Sequence, residues 1–175
     1  HKYFTPNKQI IQIKEDMKKK YNINTDNTCV LFFRGNDKYK ECGGECAAIR
    51  MMPKYIDYSK KAEELKLQNP SIQFLVQSDE TPFLEYFKKK YPDSIIFNEE
   101  IRHSNPNRDR SMDNIAKPKC DLKSNYKFSK YYLAITLIMA ECKHVVFNLG
   151  NCSIWTFFYR EHTDNVHLFV NNHWE

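Results

Sequence analysis

Cys29-Val30-Leu31-Phe32-Phe33, followed at once by Arg34-Gly35-Asn36-Asp37-Lys38, decides how the chain is read. Five consecutive apolar residues without alternation are the pattern of a strand buried on both faces of a parallel sheet. Working outward, short apolar runs return at Ile72 to Val76, Ile95 to Phe97, His144 to Leu149 and Val166 to Val170, and helical periodicity separates them. Thr5-Pro6 reads as the N-cap and first residue of a helix that carries Ile10, Ile13, Met17 and Tyr21 on one face. Tyr55, Tyr58, Ala62 and Leu65 mark a second helix, closed by Asn69-Pro70. Phe83, Leu84, Phe87 and Tyr91 mark a third, with Lys88 to Lys90 at its C-terminal end, where the macrodipole favours cations. The stretch from Glu99 to Tyr126 is polar and aperiodic and reads as a long loop. Phe128 to Cys142 is a helix so apolar around its circumference that it must be covered on most sides, and a further domain could supply part of that cover. A last helix runs from Cys152 to about Arg160, with Asn151 as N-cap.

Strands alternating with helices predict an α/β fold: one Rossmann-like domain over residues 1–175, a parallel sheet of spatial order 3-2-1-4-5, and helices on both faces. In that order the first and fourth strands are neighbours, and ligands bind in the crevice beyond their C-terminal ends. The chain has only 4 glycines. All lie in the loops after those two strands: Gly35, Gly43 and Gly44 after the first, Gly150 after the fourth. Tight turns alone would explain them; close approach of backbone to a ligand is the functional alternative.

The 175 residues are 41% hydrophobic and 14% aromatic, enough to fill a core, which excludes disordered and collagen-like classes. Lys and Arg exceed Asp and Glu by 27 − 22 = 5. So small and scattered an excess suits a phosphate-bearing ligand and makes nucleic acid an unlikely partner. No run reaches the roughly 18 apolar residues of a membrane span. The chain starts at His1 rather than Met, as a fragment of a longer protein would. Cys29, Cys142 and Cys152 fall in or beside apolar elements, where a thiol packs as a small hydrophobe. The sequon Asn151-Cys152-Ser153 falls where a glycan would obstruct the crevice. Both features favour a reducing, cytoplasmic setting, with the secretory lumen as the alternative.

Arg34 and Lys38 stand at the end of the first strand, so a guanidinium and an ammonium face the crevice. Gly150-Asn151-Cys152-Ser153 opens a helix across it, with backbone N–H groups and a positive dipole end. Together they outline an anion site; the competing reading is a structural ion pair between Arg34 and Asp37. No G-x-G-x-x-G, no G-x-x-x-x-G-K-[ST] and no G-x-S-x-G is present, which argues against dinucleotide dehydrogenases, P-loop NTPases and serine hydrolases. Cys42-Gly-Gly-Glu-Cys46 lacks the second pair that a zinc site needs, and no metal or cofactor is expected.

Leu31-Phe-Phe-Arg-Gly-Asn-Asp-Lys38 resembles the H-x-R-R-x-D-K motif of the α1,6-fucosyltransferases and nodulation fucosyltransferases. Phe74 to Pro92 is similar to that family's strand, its acidic turn and the helix ending in K-Y-P. Lys130 to Tyr159 resembles its helix, strand and serine-bearing phosphate loop. The resemblance implies the donor-binding half of a GT-B type glycosyltransferase. On that reading the domain binds a nucleotide-diphosphate sugar, GDP-fucose or a relative, and transfers the sugar with inversion, without a metal, to a glycan or protein acceptor presented by a second domain. It implies that Arg34 grips the donor diphosphate, with Gly35, Asp37 and Lys38 beside it. Asp79 and Glu80 stand at the acidic pair, and Gly150, Asn151, Cys152 and Ser153 lie along the β-phosphate. Glu41 is the candidate base, with Glu45 in reserve. The motif's His is Phe32 here, its second Arg is Gly35, and Ile135 stands where an acidic residue is expected. Asp79 has a rival reading as a helix cap in Ser78-Asp-Glu-Thr81. Two other functions remain open: a non-catalytic nucleotide-sugar or phosphate-binding module, and a small basic RNA-binding domain suggested by Arg102, Arg108, Arg110, Tyr131 and Tyr132.

Overall fold

A computed structural model of the chain describes residues 4–35, 52–99 and 122–175. Helix α1 (Lys8–Lys20) starts two residues later than Thr5-Pro6 suggests, because Asn7 is the N-cap: its side chain accepts the Ile10 N–H at 3.0 Å. Strand β1 (Thr28–Phe33) is buried at all six positions. Helix α2 (Tyr55–Gln68), strand β2 (Gln73–Ser78) and helix α3 (Thr81–Lys90) follow. Helix α4 (Leu122–Glu141) begins inside the stretch expected to be loop, and strand β3 (His144–Asn148) comes next. Helix α5 (Asn151–Arg160) and strands β4 (Val166–Val170) and β5 (His173–Trp174) complete the described elements.

The sheet order is β2-β1-β3-β4-β5, with β1, β2, β3 and β4 parallel and β5 antiparallel to β4. This is the expected arrangement with two differences of detail. The run at Ile95 to Phe97 contributes a single parallel bridge, Ile95 to Leu75. The chain then leaves the sheet toward α1: the Tyr21 hydroxyl accepts the Asn98 N–H at 2.9 Å, and the Tyr21 ring meets Phe97 edge-on at 5.0 Å. At the other edge, Asn171 and Asn172 take φ of 50° and 66°, which lets a two-residue turn fold β5 back on β4.

Alternate side chains of the strands build two cores. Val30, Phe32, Leu75, Val145 and Phe147 pack under α1, α4 and α5; Cys29, Leu31, Phe33, Phe74, Val76 and Val146 pack under α2 and α3. Burying each such side chain contributes about 1.5–3 kcal/mol. The apolar helix α4 packs against the sheet, α1 and α5. Ile135 lies wholly inside this core. Its C-terminal end is closed by the buried Arg160, which donates to the carbonyls of Ala140, Cys142, Lys143 and Asp164. Ala140 lies in the last turn of the helix, where a carbonyl has no partner inside the helix and carries the negative end of its dipole; Cys142 and Lys143 lie just beyond it and Asp164 in the loop after α5, so the guanidinium ties the helix end to that loop by several charge-assisted bonds. Among the described residues, no helix is long and apolar enough to cross a membrane.

Candidate functional site

The chain leaves β1 toward the face covered by α2 and leaves β3 toward the face covered by α5, so the sheet's direction of winding reverses between these two strands. Their C-terminal ends carry Arg34 and Asn148. Asn148, only 3% exposed, is the residue that sequence reasoning missed. Its Oδ1 accepts the Arg34 N–H at 2.9 Å, and its Nδ2 donates to the Arg34 carbonyl at 2.9 Å. The side-chain amide thus continues the β1–β3 ladder one residue past the strands. The Tyr58 hydroxyl of α2 supports it from below, 2.7 Å from the Phe32 carbonyl and 3.1 Å from Asn148 Oδ1. An asparagine closing an apolar strand was the available signal.

The backbone carbonyl of Asn148 binds the other half of the site. It accepts the Ser153 hydroxyl at 2.9 Å, and the Gly150 carbonyl lies 2.8 Å from the same hydroxyl. Ser153 is therefore turned inward, 1% exposed, and pins the first turn of α5 to the end of β3. Gly150, not Asn151, is the N-cap; its backbone is extended, and no side chain caps the helix. Asn151 is exposed as the first helical residue, and Cys152 is a half-buried free thiol packed on the core. Among the described residues no side-chain cap takes up the first N–H groups of this helix.

On the β1 side, Arg34 forms an ion pair with Asp79 through Nη1 and Oδ2. The second carboxylate oxygen, Oδ1, accepts the Gly35 N–H at 2.9 Å. Asp79 does not cap α3: Glu80 is the N-cap of that helix, and Ser78 Oγ accepts the Glu80 N–H at 3.0 Å. The Glu80 carboxylate is buried and accepts the Tyr55 hydroxyl at 2.6 Å. It lies against Gly35 so closely that a Cβ there would collide with it and would stand 2.7 Å from the Phe33 ring. Gly35 is thus required by crowding rather than by its backbone angles, and the second arginine of the resembled motif has no room at this position.

The structure therefore gathers Arg34, Gly35, Asp79 and Glu80 into one network, and Asn148 joins it to Gly150 and Ser153. Asp37, Lys38, Glu41, Glu45, Cys42, Cys46, Arg102, Arg108 and Arg110 lie outside the described residues. Among the described residues, no group of three or more His, Cys, Asp or Glu side chains could hold a metal ion.

No family model and no curated protein matches the chain in sequence. Solved structures do match its fold. A structure of NodZ alpha-1,6-fucosyltransferase co-crystallised with GDP superposes with a TM-score of 0.57 at 13% identity, over 97% of this chain and 47% of that one. A structure of NodZ alpha-1,6-fucosyltransferase soaked with GDP-fucose gives 0.53 at 12% identity, over 95% and 46%. The chain spans about half the length of these structures and shares their α/β fold.

Proposed function

We propose that the chain is the donor-binding half of a glycosyltransferase, taking a nucleotide-diphosphate sugar of the GDP-fucose kind in the crevice between β1 and β3. The observation that carries this reading is Asn148, which fixes Arg34 with its side chain and the N-terminus of α5 with its backbone, one on each side of the crevice. A guanidinium and a helix N-terminus converging from two elements suit a diphosphate, whose charge is spread over several oxygens. The NodZ structures were obtained with GDP and with GDP-fucose, which supports the same ligand class here.

In the reaction proposed, an acceptor hydroxyl attacks the anomeric carbon from the face opposite the diphosphate. The carbon–oxygen bond to the β-phosphate breaks with its electron pair, the nucleoside diphosphate leaves, and a carboxylate takes the hydroxyl proton. Arg34 and the dipole of α5 stabilise charge growing on the leaving oxygen, without a metal. Glu41, in the loop after β1, is the proposed proton acceptor, and a second domain presents the acceptor. Thermal-shift and calorimetric titration with GDP, UDP and dTDP test this reading. GDP compounds should stabilise the chain most. Stabilisation by RNA oligomers and by no nucleotide would replace this function with RNA binding.

A further inference from the structure

The two donors that outline the anion site after β1 are already shared by one carboxylate. Arg34 Nη1 pairs with Asp79 Oδ2, and the Gly35 N–H donates to Asp79 Oδ1 at 2.9 Å. A carboxylate gripped at both oxygens by a guanidinium and a backbone amide reproduces the contacts that two phosphate oxygens would make there. We propose that Asp79 is a built-in competitor of the donor diphosphate: an internal anion that holds Arg34 and Gly35 until a more highly charged ligand displaces it. The proposal rests on the nucleotide-sugar reading of the crevice and adds a residue that sets its selectivity.

Three observations separate this role from simple scaffolding. The backbone of Arg34 is fixed by Asn148 at both its N–H and its carbonyl, so its place at the strand end does not depend on Asp79. The start of α3 is organised through Ser78 and Glu80, not through the Asp79 side chain. The neighbouring acid is built differently: Glu80 is 3% exposed and tied to Tyr55, whereas the Asp79 and Arg34 side chains keep 13% and 16% of their surface exposed. Displacement would take the Asp79 carboxylate off Arg34 by rotation about its own side-chain bonds, with the Arg34 backbone held by Asn148.

The chemical consequence is discrimination by charge. A monoanion offers Arg34 no more than Asp79 already does, and the displaced carboxylate then stands near a like charge. A diphosphate carries enough charge to outbid it and finds the N-terminus of α5 as well. Singly charged anions should therefore bind poorly, and removing the Asp79 charge should relax that selectivity.

The test is the Asp79→Asn variant, which keeps the shape and an acceptor for the Gly35 N–H while removing the charge. Parent and variant are titrated calorimetrically with GDP, inorganic diphosphate and acetate. The expected result is tighter binding of GDP and diphosphate by about tenfold, the loss of one competing charge-assisted contact, with a larger relative gain for acetate. In an Arg34→Ala background the same substitution should change affinity less than about twofold. Should Asp79→Asn fail to fold, Asp79→Ser is the second variant. On the parent chain, selective glycine labelling yields only four amide resonances, and that of Gly35 should move on saturation with diphosphate. Weaker GDP binding in the variant would overturn the proposal and leave the nucleotide reading standing. Tighter binding of diphosphate without any nucleotide binding would support the competitor and remove the nucleotide reading. Failure of both parent and variant to bind diphosphate overturns the competitor.

Discussion

The side-chain amide of Asn148 is hydrogen-bonded to both backbone groups of Arg34, each at 2.9 Å, across 114 residues of sequence. It does for the loop what the next pair of ladder bonds would have done for the strand. Asn148→Ala removes both bonds and leaves a buried N–H and a buried carbonyl without their partner. The expected cost is about 2–4 kcal/mol, measured as a shift of the urea midpoint. Asn148→Asp keeps the acceptor for the Arg34 N–H but sets a carboxylate oxygen against the Arg34 carbonyl at a buried position, and should cost at least as much. Both variants should weaken GDP binding beyond what their residual unfolded fraction explains. Unchanged affinity per folded molecule would confine Asn148 to stability.

Arg34→Lys keeps the charge and loses the planar fork. Diphosphate binding through that fork should weaken by about 1.5–3 kcal/mol, roughly ten- to a hundredfold, and Arg34→Ala should weaken it further. Calorimetric titration of folded variants against GDP checks this. If the Arg34–Asp79 pair is only structural, substitution at either residue lowers the melting temperature and leaves affinity alone.

Gly35→Ala places a methyl group against the Glu80 carboxyl and the Phe33 ring, which is stacked on Phe83 at 4.8 Å and has little freedom to yield. Overpacking of this kind costs about 1–3 kcal/mol. The double variant Gly35→Ala, Glu80→Ala should be less destabilised than the sum of the single changes, because the space vacated by Glu80 admits the methyl group. Strict additivity in denaturant melts would show that the collision is relieved elsewhere.

His144 of β3 and His167 of β4 stack with ring centroids 5.9 Å apart and planes 6° from parallel. His144 Nδ1 and His167 Nε2 are buried without a hydrogen-bond partner among the described residues. Burial, then the Lys61 charge on α2 and the neighbouring His144, outweigh the opposing Glu64 and lower the His167 pKa to about 4. Burial, with Lys143 and Arg160, lowers that of His144. The folded state thus prefers both rings neutral, while the unfolded chain protonates near pH 6.5. Their contribution is full above about pH 6.5 and is lost as pH falls toward 4, at no more than about 1.4 kcal/mol per pH unit for each group. Allowing for the partly exposed His167 ring, the loss for that residue is about 1–2 kcal/mol. Denaturant melts from pH 7.5 to 4 should show it, and His167→Gln should flatten the profile; an identical profile in that variant would refute the assignment.

On the proposed reading, donor binding through Arg34 and the α5 N-terminus would need no divalent cation. GDP affinity should stay within about twofold after EDTA treatment. A loss of binding that Mg²⁺ or Mn²⁺ restores would assign the phosphates to a metal.

The elements were legible in the chain because their causes are local. An unbroken apolar run such as Cys29 to Phe33 has no exposed face to offer, and Ile10, Met17 and Tyr21 repeat with the period of a helix, so burial and spacing alone name strand and helix. Arg34, Gly35 and Gly150 could be named for the same reason: they stand at the ends of those runs. What the chain did not disclose is pairing. That Arg34 pairs with Asp79, that Asp79 crosses to the next strand rather than capping a helix, and that Gly35 yields its space to Glu80 depend on which strand lies beside which. Asn148 was passed over because its partners lie 114 residues away in sequence and one strand away in space. Hydrogen bonds and ion pairs act over about 3 Å, and only the tertiary fold brings such residues within that reach.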